Sequence, residues 1–330
     1  ISGSDTGYLF QMGQLLASEE TIGSITADLR VNGRGLDWEP LDANVTGRID
    51  SIVLMGEGYQ AFEIDGHLKG KRFNGFLSVD DPDLALDFNG IVDLSGDMPS
   101  FDFLADVYHA RLDKLSRGRL PGPLTGKSGI AMQFQGDHLD RLRGRLELTG
   151  LDLDMGTRHY HCNSFELGFV PDAYRYKEVV LHADPLDLEM KGSFTFQDLA
   201  NSLISQLASL MPSSGLRPAA KTIPADQFAT LRMEVTDLNP LLQLFLPELS
   251  IPPGTHLVAS IRTTPALLEW EATSANIKYQ GIEADSLVWT GKVNSASGTT
   301  SLATRALSMT DSIEIYRFNL QAGLQQDSIP

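Results

Sequence analysis

Period-two alternation of apolar and polar residues constrains this chain more than anything else in it. Leu84-Ala85-Leu86-Asp87-Phe88 sends its two leucines and its phenylalanine to one side and Ala85 and Asp87 to the other, and Leu146 to Met155 repeats the pattern over ten positions. Side chains alternate in this way only in an extended strand with one apolar face, because a helix would scatter them around its circumference. Comparable runs occur at 24–31, 43–55, 61–68, 73–79, 101–108, 130–135, 178–183, 186–196, 228–235, 257–263, 267–272, 287–292, 299–307 and 313–320. Most are joined by short Gly, Asp or Asn punctuation that suits hairpins, so the fold class is mainly β and the sheet largely antiparallel.

One stretch breaks the rule. Leu199, Leu203, Ile204, Leu207 and Leu210 follow helical spacing, Asp198 stands where a cap is expected, and Pro212 to Gly215 end the run. This predicts one amphipathic helix of three to four turns over 198–211. Shorter helices are expected at 112–115 and 240–246, and the Pro- and Ser-rich stretch 211–224 reads as a mobile loop.

Charge narrows the partners. Among 330 residues, 26 Lys and Arg face 43 Asp and Glu, a net charge of −17 that argues against nucleic acid, which is bound by clustered cations. The densest basic run, Arg141-Leu142-Arg143-Gly144-Arg145, reads as a solvated strand edge. With 42% hydrophobic and 21% charged residues the chain has a folding composition. No run reaches the roughly 18 apolar residues of a membrane helix, and the opening residues are not a signal peptide, so the chain reads as a piece of something longer. The lone Cys162 has no disulfide partner within the chain and says little about compartment.

Several motifs tempt and then fail. Gly122 to Ser128 ends like a phosphate-binding loop, but Pro121 stands where its first glycine belongs and a strand pattern follows instead of a helix. Gly56-Glu57-Gly58-Tyr59-Gln60-Ala61 mimics a dinucleotide fingerprint and is likewise followed by alternation, so a glycine-rich hairpin turn is expected there. His159 and His161 share one strand face, but Cys162 points the other way and a zinc site needs three or four ligands. Asp80-Asp81-Pro82-Asp83 lacks calcium-loop spacing and reads as a proline-fixed turn. With no nucleophile elbow either, no catalytic residue, cofactor or metal is expected, and the chain does not read as an enzyme.

A weak internal repeat sets Leu86 over Leu188, Phe88 over Met190 and Gly90 over Gly192. A period this long is a multi-strand module, and it suggests three: 1–120 ending in a short helix, 121–224 ending in the amphipathic helix and its loop, and 225–330 with a short helix near 240–246. So many one-faced strands with so little helix leave two solutions. Either the sheet folds on itself as a sandwich or barrel, with Leu84, Leu86 and Phe88 as plain core, or the apolar face stays open as a groove that suits acyl chains.

The runs 62–94, 137–148 and 239–255 resemble the repeats of the TamB proteins of the AsmA-like group, in their Bacteroidetes form, and the likeness spans about residues 60 to 320 in family order. The resemblance rests on degenerate strand patterns and implies an elongated antiparallel sheet curled into a taco-like groove. It further implies a periplasmic protein of a Gram-negative bacterium, anchored in the inner membrane by a segment not seen here. Such a protein would carry phospholipid between the membranes and take part in outer-membrane protein assembly with an Omp85-type, TamA-like barrel. If the apolar face stays open, the repeat places Leu84, Leu86, Phe88, Leu186, Leu188 and Met190 along one shared groove, and Leu199, Leu203, Leu207 and Leu210 carry a helix that caps or plugs it. The alternatives are a chaperone-like assembly factor that offers a sheet edge to client strands, and a purely structural or adhesive β-repeat protein.

Overall fold

The computed structural model describes residues 22–35, 40–54, 56–116, 120, 122–171, 176–210, 227–294, 296–309 and 313–324. The chain is mainly β, with antiparallel pairing throughout and few helices, as the alternation predicts. The segment read as a mobile loop, 211–224, lies outside the described residues.

Contacts divide the chain into two compact units, Ile1–Glu166 and Leu167–Pro330. In the first, strands β1 (Ile22–Arg34), β2 (Asp42–Leu54), β3 (Glu57–Lys69), β4 (Arg72–Asp81), β5 (Leu84–Asp93), β6 (Ser100–Arg111), β7 (Thr125–Gln135) and β8 (Arg143–Met155) each pair with their sequence neighbour. Strand β9 (Arg158–Pro171) carries the chain across the division. The second unit continues with β10 (Lys177–Ala183), β11 (Leu186–Ser193), β12 (Phe228–Val235), β13 (Leu249–Ser250), β14 (Thr255–Thr263), β15 (Ala266–Tyr279), β16 (Ile282–Asn294), β17 (Gly298–Met309) and β18 (Ile313–Leu324). Their ladder also follows chain order, except that β12 pairs with β14, and two-residue β13 pairs with an extension of β15. Short connections explain the order, since a hairpin places each strand beside the one before it. Among the described residues no pairing joins the first and last strands of either unit, so each sheet is open.

Both nucleotide-like motifs are strand: the dinucleotide mimic runs into β3 and the phosphate-loop mimic into β7. The acidic turn is fixed as expected around Pro82. Asp81, 7% exposed, accepts from the Asp83 amide at 2.8 Å and the Gln60 amide at 2.9 Å, which satisfies both carboxylate oxygens.

Among the described residues the α-helices fall where the sequence put them: α1 (Leu112–Leu115), α2 (Phe196–Leu210) and α3 (Asn239–Phe245, with Pro240 in its first turn). The cap of α2 is a correction. Thr195, not Asp198, opens the helix: its Oγ1 accepts from the Asp198 amide at 3.1 Å and donates to the Asp198 carboxylate at 2.6 Å, a reciprocal bracket that leaves Asp198 inside the first turn. Gln227, 7% exposed, extends the bracket by accepting from the Thr195 amide (3.1 Å) and donating to Asp198 (3.0 Å). The expected strand 186–196 therefore stops at Ser193.

The repeat has a structural counterpart at its two glycines. Gly90 (φ +150°) and Gly192 (φ +156°) take conformations that side chains rarely adopt, and a Cβ would lie 2.4 Å from the Asp102 carbonyl oxygen in one and 2.0 Å from the Phe228 carbonyl oxygen in the other. In both copies the neighbouring backbone occupies the space a side chain would need. The connection that follows differs: β5 reaches β6 through a short loop, whereas α2 lies within the corresponding link between β11 and β12.

Candidate functional site: a two-faced sheet in each unit

In the first unit the register stacks the apolar positions of successive strands into rows. Leu86 stands between Val79 and Val107, Phe88 between Leu77 and Ala105, and Leu84 between Asp81 and Ala110. Phe73, Phe88 and Phe103 form an aromatic run, with ring centroids 6.1 and 4.9 Å apart. Leu84 and Leu86 pack on a buried nucleus of Ile52, Phe62 and Val79. Leu84, Tyr59, Phe62, Leu54 and, from α1, Leu115 surround a pocket of about 160 Å³. All three predicted lining residues of this unit, Leu84, Leu86 and Phe88, share this face and remain half-buried.

The opposite face carries the charged pairs, and beside them the exposed Phe76 and Leu104. Asp87 accepts from the Tyr108 hydroxyl at 2.9 Å, Arg145 pairs with Glu166 at 2.8 Å, and Lys127 pairs with Asp152 at 3.0 Å. Exposed pairs like these contribute little to stability, at most about 1 kcal/mol each, but they mark which side belongs to water. His161, with Lys127 behind it, holds the Asp152 carboxyl below its ordinary range through hydrogen bonds. His159 and His161 both stand on this face, 3.5 and 2.6 Å from Asp152, while Cys162 is buried. Among the described residues no group of three or more His, Cys, Asp or Glu is placed to hold a metal ion.

The second unit repeats the design. Leu186 lies between Ala183 and Val235, Leu188 between Leu181 and Met233, and Met190 between Val179 and Leu231. The rows run on through Leu257 and Ala259 to Ala272 and Trp270. Of the predicted lining, Leu186, Leu188 and Met190 are half-buried on one face, while Asp187 and Glu189 on the other meet His182 and Lys191. Helix α2 packs against β14 and β15 and buries Leu199 to 5% exposure. The side chains of Leu203, Leu207 and Leu210 lie outside the described residues.

Sequence reading did not single out the tryptophans of this unit. Trp270 and Trp289 meet edge-to-face at 5.5 Å, and Trp270 lies directly over Gly291, where a Cβ would fall 1.9 Å from its ring. The signal was partly present: Leu268, Trp270 and Ala272 alternate with Glu269 and Glu271. The glycine across from the ring depends on register, which alternation does not fix.

Comparison with protein-family models, with characterised proteins and with solved structures finds no match. No helix among the described residues is long and apolar enough to cross a membrane, which says nothing of strands.

Proposed function

We propose that the chain is a conduit for phospholipid, holding acyl chains against the apolar faces of its open sheets. The observation that carries this reading is the pairing, in each unit, of a half-exposed face of Leu, Phe and Met with a charged face one residue out of phase. An acyl chain needs apolar area and no directional partner, and such a face offers it area without closing over it. The TamB resemblance supplies the setting: the periplasm of a Gram-negative bacterium, transfer between inner and outer membranes, and a linked part in outer-membrane protein assembly with an Omp85-type barrel. One observation favours strand augmentation as a second reading. Among the described residues β1 pairs only with β2, and β18 only with β17, so each leaves one edge of backbone donors and acceptors for a client strand.

Photo-crosslinking residues at Leu86 and Leu188, compared with Asp87 and Glu189, test the conduit. Lipid adducts identified by mass spectrometry are expected at the first pair and not at the second. Adducts only at the second pair, or peptide adducts confined to β1 and β18, would replace the conduit with another reading.

A further inference from the structure

The indole N–H of Trp270 is buried and has no hydrogen-bond partner, whereas that of Trp289 donates to Thr300 Oγ1 at 2.9 Å. A buried donor left unpaired is costly, and native structures rarely keep one without a use. Trp270 sits in the row of Met190, Leu231 and Ala259, on the face proposed above to meet acyl chains. Its seat is built for it, because Gly291 leaves the space that the ring occupies. Its cross-strand partners on this face, Ala259 and Gly291, bring no charge, so nothing beside it would hold a phosphate.

We infer that Trp270 is a polar contact for an ester carbonyl of an acyl lipid, the strong acceptor such a molecule carries at the head of each hydrocarbon chain. The inference rests on the conduit reading and adds a chemical preference to it. The ring is half-buried while its N–H is covered, so the contact requires the ring to turn above Gly291 and present the N–H to a carbonyl lying along the row. Acyl chains would then be held in a fixed position by their linkage and not only by area.

The test compares dihexanoyl phosphatidylcholine with its dihexyl ether analogue, which has the same head group and chain length but no carbonyl. Binding to the full chain is read by titration, and the indole N–H signals are followed by nuclear magnetic resonance. The ester is expected to bind about fivefold more tightly, the worth of one hydrogen bond, and Trp270→Phe to bring the ratio to one. The Trp270 N–H signal should move downfield with the ester and not with the ether, a readout on the unaltered protein that survives if the variant fails to fold. The chain has three tryptophans, so Trp38→Phe and Trp289→Phe together assign that signal by elimination. Equal affinities with an unmoved signal overturn the inference and leave the conduit standing, and binding of neither lipid overturns both.

Discussion

Replacing Gly90 with alanine asks whether the sheet of the first unit depends on the absence of one methyl group. The new Cβ would lie 2.4 Å from the Asp102 carbonyl oxygen and 2.4 Å from the Phe103 Cα, both backbone atoms of the paired strand. Neither can swing aside as a side chain would, so β5 and β6 must separate or the residue must leave φ +150°. A strained backbone conformation costs about 1–3 kcal/mol and overpacking about 1–3 kcal/mol, so a loss of about 2–6 kcal/mol is expected. That is a large part of the 5–15 kcal/mol typical of a whole domain. Gly150→Ala is the control, since Gly150 also has positive φ (+59°) but nothing within 4 Å of its Cβ position, and only about 1–2 kcal/mol is at stake. The second unit supplies the same contrast in Gly192→Ala against Gly254→Ala, where the Cβ would meet the Phe228 carbonyl oxygen at 2.0 Å or nothing at all. Amide hydrogen exchange across a urea series reads each unit separately, which matters because a chain of two units need not unfold in one step. If Gly90→Ala costs no more than Gly150→Ala, close strand approach is not what holds glycine at these positions, and the structural basis of the repeat falls.

Gln227→Ala removes one hydrogen bond to the Thr195 amide and one to the Asp198 carboxylate; about 2–4 kcal/mol should be lost, concentrated in α2, and uniform protection of α2 amides in variant and parent would refute it. The pH behaviour of the first unit follows from Asp152. Its folded carboxyl titrates below the ordinary aspartate value, so its contribution is present above that ordinary value and lost as pH falls through the lower folded one. Asp152→Asn should therefore be less stable than the parent at neutral pH and converge with it below about pH 4, as followed by denaturant midpoints, while a gap that widens in acid would reverse the sign.

How much of this was legible in the sequence depends on the reach of each interaction. Alternation in 84–88 and 186–190 placed both sets of lining residues on strand faces, because a strand's side-chain period is a local property. Spacing alone likewise located α2; the Thr195–Asp198 bracket that caps it is also local, three residues apart, whereas Gln227, which extends it, is 32 positions away. Composition spoke only to partners, since a net charge of −17 argues against nucleic acid; the fold class came from alternation.

The sequence by itself determined that the chain forms antiparallel strands with an apolar face, that helices are few, and that Leu84, Leu86 and Phe88 share a side. Only the tertiary structure decided that the faces stay half-exposed, that Gly90 and Gly192 face neighbouring backbone, and that Trp270 covers Gly291 with its N–H unpartnered. The physical reason is that each of these depends on register between strands. Alternation fixes which side of its own strand a residue occupies, but it is silent on the residue across from it.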